Sequence, residues 1–371
     1  MSALTVTVND AAITRNVATL VRSTRAQVMA VVKSDAYGHG LLAAGRAARA
    51  GGATWLGVAQ PGEALALRAA GDEGPLLCWL YGPEVPAREL LAQGVDLSVS
   101  SLEVLAVIAA AARDLGVTAR VHVCVDTGLA REGVTPAHLD ALLSAARAAQ
   151  DAGTVDVVGM WSHLAWADAP GHPTIDAQAE VFRAACAAAL AHGLTLRVRH
   201  LANSACTLTR PDLHFDLVRP GLAVYGLAPV EDPTGAHFGL EPAMRVTSTL
   251  VLVKDLPAGQ GVSYGHTYVT PVPTTVGLVS AGYGDGVFRA AGGAAEVAIR
   301  GRRYPIAGRV CMDQFVVDLG EGSPCEVGDE VVLVGADGPS ARDWADAAGT
   351  IDYEVVCRFG GLRPVTHVDA P

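Results

Sequence analysis

Over its first 220 residues the chain keeps switching between two compositions. Short apolar runs rich in β-branched residues alternate with alanine- and leucine-rich stretches. The runs are Val28–Lys33, Trp55–Val58, Leu76–Leu80, Leu97–Val99, Ala119–Val125, Val155–Trp161, Leu196–Leu201 and Leu217–Arg219. Stretches of helical composition lie between them, among them Leu41–Ala50, Leu102–Leu115, Pro136–Ala149 and Ile175–Ala191. Strands that are apolar throughout have both faces covered, so this alternation predicts a parallel sheet wrapped in helices. Eight repeats predict a closed (β/α)8 TIM-like barrel, although an open doubly wound sheet meets the same alternation. Helix starts are legible too. Ser100 with Glu103 reads as a capping box, and Thr135 before Pro136 as an N-cap and first-turn pair.

The character changes after about residue 235. Val246–Val253, Thr275–Ser280, Glu296–Arg300, Gln314–Asp318 and Glu330–Val334 read as strands between Gly, Pro and Asp turns, with one short helix near Ala341–Ala348. The predicted class is α/β plus all-β. An N-terminal barrel domain spans residues 1–235, a C-terminal, mostly β-strand domain spans 236–371, and Glu231–Gly239 links them. A chain of 371 residues suits two such domains.

Composition then removes whole classes of function. Half the residues are hydrophobic and 18% are charged, which supports a large core. The net charge of −11 argues against a general nucleic-acid binder. Apolar runs such as Val104–Ala112 fall far short of the roughly 18 residues that suggest a membrane helix. The first residues, MSALTVTVNDAAITRN, show no secretory pattern. Seven cysteines without a CxxC pair suggest reduced thiols in a cytoplasmic protein, and neither a disulfide framework nor a metal site is expected.

The residues that carry chemistry collect where the predicted strands end. Lys33 closes the first run. A lysine there is either a snorkelling surface group or a desolvated amine able to form a Schiff base with a carbonyl. Tyr37 and His39 follow in a Gly-rich turn. Arg131 follows the fifth run, His163 the sixth, Asn203 and Ser204 the seventh, and Arg219, Pro220 and Gly221 the eighth. Each alone has an ordinary reading as a turn residue or surface charge. Together they match the rule that barrel chemistry lives on the loops after the strands. A hydroxyl after strand seven and a glycine turn after strand eight match a phosphate site. A Schiff-base lysine with a phosphate cradle leaves two classes open, a class I aldolase and a pyridoxal 5′-phosphate (PLP) enzyme.

A series of motifs in order along the chain resembles the alanine racemase family of barrel-type PLP enzymes. The series is AVVKSDAYGHG (Ala30–Gly40), VDTGLAREG (Val125–Gly133), SHLAWAD, HLANSA, VRPGLAVYG, VSYGHTYV (Val262–Val269), AGYGDG (Ala281–Gly286), GRVCMDQ (Gly308–Gln314) and TIDYEVVCR (Thr350–Arg358). The resemblance implies racemisation of L- and D-alanine on PLP held by Lys33, in a homodimer, with D-alanine supplied for peptidoglycan. By the same resemblance, Tyr37, Asn203, Ser204, Gly221, Leu222 and Tyr353 belong to the cofactor site, mostly at the phosphate. His163 stands beside the cofactor ring, Arg219 faces its pyridine nitrogen, and Trp79 touches the cofactor. Arg131 serves the substrate carboxylate. Tyr264 matches the second base and Met312 a substrate-site residue, both reaching the partner subunit's site from the C-terminal domain.

The chain departs from the family pattern in three places. Cys124 stands where the commonest pattern has a lysine, carbamylated in some members, that supports the arginine matched by Arg131. Ala130 replaces a common glycine, and the end reads FGGLRPVTHV. Two other readings fit less well. A barrel-class PLP decarboxylase is disfavoured because its Gly-rich phosphate stretch and its cysteine-containing C-terminal motif are missing. A single-barrel PLP carrier has no counterpart of residues 236–371.

Overall fold

The computed structural model describes residues 4–230 and 237–369. The chain divides into two compact units, and neither is one continuous stretch. The first comprises Ile13–Ala36 and Leu41–Glu241, the second Met1–Ala12, Tyr37–Gly40 and Pro242–Pro371. The barrel domain expected at 1–235 therefore loses its first twelve residues and the turn 37–40 to the β unit. The first six residues of the expected linker lie outside the described residues, and His237–Gly239 form a short 3-10 turn.

The first unit is the expected barrel. Counting from β1 (Thr5–Asn9), its strands are β2 (Gln27–Val31), β3 (Trp55–Val58), β4 (Leu76–Cys78), β5 (Asp96–Val99), β6 (Ala119–Cys124), β7 (Val155–Trp161), β8 (Val198–His200) and β9 (Leu217–Val218). Parallel ladders run in the order β8-β7-β6-β5-β4-β3-β2-β9. No ladder joins β8 to β9. Backbone hydrogen bonds from Asp216 to Arg199 (3.1 Å) and from Arg219 to Ala202 (2.8 Å) tie the two ends of the sheet. The strands are buried along nearly their whole length, because helices cover one face and the barrel interior the other.

Helix starts follow the local chemistry with one correction. Helix Leu102–Leu115 is capped by Ser101, not Ser100. The extended Ser101 accepts from Val104 N at 3.3 Å, which places Glu103 in the first turn beside the positive helix end. Thr135 is the N-cap before Pro136 as expected, but its hydroxyl pairs with His138 Nδ1 at 2.9 Å and not with the backbone.

The second unit is built on a mixed sheet. Its strands are β10 (Met244–Leu256), β13 (Thr274–Val279), β14 (Glu296–Ile299), β15 (Arg302–Pro305), β16 (Phe315–Gly320), β17 (Glu330–Val334) and β18 (Val365–Val368), with a separate pair β11 (Gly261–Val262) and β12 (Tyr268–Val269). The N-terminal β1 runs antiparallel to β10 and parallel to β18, so the two ends of the chain meet in one sheet. Two helices complete the unit, the expected Ala341–Ala348 and an unexpected Asp352–Leu362.

Candidate active site

Strand β2 ends at Val31, two residues before Lys33, so Lys33 opens a short helix (Lys33–Gly38) and does not close the strand. That helix is left-handed: Ser34, Asp35, Ala36 and Tyr37 have φ of 55°, 50°, 54° and 57°. Each L-residue in this conformation costs about 1–2 kcal/mol, so the turn persists only where its surroundings hold it. Ser34 N donates to the Glu63 carboxylate, which also accepts from Ala59 N (3.0 Å) and Gln60 N (2.9 Å). Asp35 accepts from Leu41 N at 2.7 Å. Within the β unit, the turn's second half packs on helix Asp352–Leu362. A Cβ on Gly360 would lie 1.8 Å from the Gly38 carbonyl oxygen, so both positions need glycine. The Tyr37 and Tyr353 rings lie 6.0 Å apart there. Burial, and then the neighbouring Tyr353, keep the Tyr37 phenol protonated.

In the barrel unit Arg219 is buried just after β9. Its Nη1 donates to His200 O and its Nη2 to Ser162 O, both at 2.7 Å, and Trp161 lies 5.0 Å from the guanidinium carbon. Among the described residues no carboxylate is hydrogen-bonded to it. Burial lowers its pKa to about 10, so it remains a cation at neutral pH. Nη2 also stands 3.4 Å from His163 Nδ1. Burial pushes the His163 pKa down to about 3, helped by the positive charges of Arg219, Arg131 and Lys33, so its imidazole is neutral. Four of the expected site residues thus feel one another's charge in this unit.

A second polar chain, which sequence reasoning missed, runs from Arg219 through the barrel interior. Nη1 of Arg219 meets His200 Nδ1 at 3.2 Å, His200 Nε2 meets His122 Nδ1 at 2.9 Å, and His122 Nε2 meets Asp96 at 3.3 Å. Arg120 pairs with the same Asp96. A guanidinium only donates, so His200 Nδ1 accepts. Burial holds His200 neutral. Its proton therefore sits on Nε2 and is donated to His122, whose own Nε2–H faces the carboxylate. The available signal was a histidine in each of two short barrel strands, ARVHVC and VRH.

The remaining barrel residues form two groups. Asn203 caps the helix Ser204–Thr209 by accepting from Cys206 N at 3.1 Å. Ser204 Oγ accepts from Gly221 N (2.8 Å) and Ala223 N (3.3 Å), and Leu222 is fully buried beside them. Arg131 pairs through two bonds with its neighbour Glu132, at 2.8 and 3.1 Å. Beneath them, burial raises the Cys124 thiol well above its ordinary range, so it is neutral. Trp79 is buried, 5.8 Å from Trp161 and packed over Gly57. Tyr264 and Met312 belong to the β unit and are 69% and 55% exposed. Their loops are joined by Ser263 Oγ, which donates to Arg309 O at 2.6 Å.

This donor set fits PLP. A buried guanidinium without a carboxylate suits an anionic ligand whose ring nitrogen accepts a hydrogen bond. A hydroxyl and two backbone N–H groups gathered at one point suit a phosphate. Among the described residues, no group of three His, Cys, Asp or Glu side chains is placed to hold a metal ion. No helix there is long and apolar enough to cross a membrane.

Comparison with known proteins gives one family. The alanine racemase N-terminal domain family matches residues 8–229 and its C-terminal domain family residues 243–366. An alanine racemase of Salinispora arenicola is 52% identical over 355 residues, covering 95% of this chain and 94% of its own. One from Beutenbergia cavernae is 54% identical over 346 residues, covering 92% of each chain. A crystal structure of alanine racemase from D-cycloserine-producing Streptomyces lavendulae, at 49% identity, matches with a TM-score of 0.96 over 100% of this chain and 98% of that one.

Proposed function

The chain belongs to the alanine racemase family, and on that premise we propose that it interconverts L- and D-alanine with PLP held on Lys33 and with Lys33 and Tyr264 as its two bases. Bound there, PLP supplies an electron sink that acidifies the substrate's α-proton. Taking a proton from one face of the α-carbon and returning one to the other requires a base on each side. Lys33 serves one face and the partner subunit's Tyr264 the other. The exposure of Tyr264 and Met312 supports a homodimer in which each β domain completes the partner's site.

The observation that carries this reading is the buried Arg219, whose guanidinium donates to His200 O and Ser162 O and stands 3.4 Å from His163 Nδ1, with burial first and then the charges of Arg219, Arg131 and Lys33 keeping that imidazole neutral. Arg219 would face the cofactor's ring nitrogen as a donor, and because it stays a cation near neutral pH it would leave that nitrogen unprotonated. The neutral His163 adds no second positive charge beside it. By the family pattern, Tyr37, Tyr353, Ser204, Gly221 and Leu222 would hold the phosphate, Asn203 would belong to the cofactor site, and Trp79 would touch the cofactor. Arg131 binds the substrate carboxylate. Seven free thiols suit the cytoplasm, where D-alanine would feed peptidoglycan.

The chain has only two lysines, Lys33 and Lys254, which makes the test sharp. Borohydride reduction and peptide mapping should place a pyridoxyl group on Lys33, and a chiral assay should show either alanine enantiomer relaxing to a mixture. A label on Lys254, or none, would refute the assignment. Unchanged enantiomers would refute the activity.

A further inference from the structure

We propose that Glu132 is the positioning residue that aims Arg131 at a substrate carboxylate, in place of any modified lysine or bound anion. The proposal rests on the reading above and deepens it. Arg131 and Glu132 stand in a loop pinned on both sides. Val134 N donates to Cys124 O and Asp126 N to Val134 O, each at 2.9 Å. Asp126 Oδ1 accepts from Gly128 N (2.9 Å) and Ala130 N (3.0 Å), and Gly133 lies so close to the Asp126 backbone that a Cβ would come within 2.6 Å. The loop backbone is therefore fixed, and the freedom left to Arg131 is that of its long side chain.

Glu132 removes that freedom. Its two oxygens take Nε and one proton of Nη2, leaving the Nη1–Nη2 edge for a second carboxylate. The Glu132 side chain is 17% exposed and that of Arg131 54%, so the acid is the anchored partner. A pair this open to water adds little to stability, so its effect is on orientation. Position 124 itself offers Arg131 no charged support, since it holds no lysine to carry a carbamate. Cys124, at the end of β6 beneath the loop, is a buried neutral thiol and supplies no negative charge, and burial and Glu132 both act to keep it protonated.

Glu132→Gln keeps the shape and removes the charge. In the PLP-loaded enzyme, KM for alanine should rise about tenfold and kcat should change less. Acetate, which offers a carboxylate without the reacting amine, should bind about tenfold more weakly by calorimetry. Chloride should restore part of both losses in the variant and do nothing in the parent. Because Glu132 acts only through Arg131, the double variant Glu132→Gln, Arg131→Gln should be no worse than Arg131→Gln alone. Unchanged KM and acetate affinity, a lower KM, or additive losses would each overturn the proposal. Failure of the parent enzyme to racemise alanine would overturn the functional reading instead, and the acetate measurement would still judge Glu132.

Discussion

The two units of this chain differ in how they carry their candidate chemistry. The barrel unit buries a cation among neutral histidines, although its surface also carries ion pairs such as Arg88–Asp114 and Arg147–Asp151. Arg219 is solvated by backbone carbonyls and aromatic rings, and His163 and His200 are forced neutral. The β unit pairs its buried carboxylates with arginines, Asp285 with Arg363 and Asp352 with Arg342, and sets other pairs at its surface. Arg245 pairs with Glu330 and Asp337, and Arg303 with Asp343, all partly in water. Its two expected site residues, Tyr264 and Met312, are exposed as well. A buried charge is expensive to hold and strong in effect, whereas an exposed side chain contributes only when something covers it. The barrel thus carries pre-set electrostatics, and the β unit carries groups that need a partner.

The hardest test of that contrast is subunit mixing. Lys33→Ala and Tyr264→Phe should each lower racemisation by at least about a thousandfold, since each removes one of two bases. Random exchange makes half the dimers mixed, and each mixed dimer holds one intact site in two, so about a quarter of parental activity should return. No recovery, with exchange confirmed by mass, would place both bases in one chain and break the comparison.

Arg219→Glu probes the barrel's buried charge directly. It replaces a donor by an acceptor beside His200 and His163. His200 must then reverse its tautomer, and the chain to His122 and Asp96 loses its direction. Racemisation should fall roughly a hundredfold or more, and the cofactor's visible absorbance should become pH-dependent near neutrality. A variant with the parent's rate and spectrum would mean that the guanidinium sets neither.

Much of the barrel was legible because its signals are local. Apolar β-branched runs mark strands buried on both faces, and the residues just after them mark the mouth. Lys33, Arg131, His163, Ser204 and Arg219 stand out as candidates that way. What escaped notice depends on distant partners. Nothing in TVTVN says that β1 will pair with strands more than 230 residues away. Helix Asp352–Leu362 contains FGG, and two glycines argue against a helix until Gly360 is seen against the Gly38 carbonyl. Glu63 and Glu132 look like ordinary surface acids, yet one holds the turn after Lys33 and the other holds Arg131. Only the folded loops show it.

Acid should separate the units by smaller amounts. Three histidines with lowered pKa values, His163, His200 and His214, lie in the barrel unit. Below the unfolded value near 6.5 the unfolded chain takes up protons that the folded barrel refuses, so stability is complete above that pH and falls as pH drops. Each refused proton costs about 1.4 kcal/mol per pH unit. In the β unit the lowered groups are carboxylates, such as Asp318, Glu330 and Asp337. Their contribution is complete above about pH 4.5 and is lost only below it. Between pH 7 and 5, proteolysis of transiently unfolded chain should increase in the barrel sequence and not in residues 242–371. Equal sensitivity, or none, would contradict the contrast.

The smallest expected effect concerns Ala130, where the family pattern has glycine. Ala130 has a φ of 56°, a left-handed conformation that costs an L-residue about 1–2 kcal/mol. The Asp126 carboxylate offsets part of this by accepting the Ala130 and Gly128 N–H groups. Ala130→Gly removes the strain but gives the unfolded chain more freedom, worth about 0.4–1 kcal/mol. The difference should leave the variant more stable by several tenths of a kcal/mol, a rise in melting temperature of about 1–3 °C. Asp126→Asn should enlarge the gain from glycine, because the strained alanine loses its charged acceptor. If Ala130→Gly destabilises the protein, or raises KM for alanine as Glu132→Gln should, then the alanine stiffens the loop that carries Arg131, and the rigidity assigned to the backbone pins belongs in part to the strained residue itself.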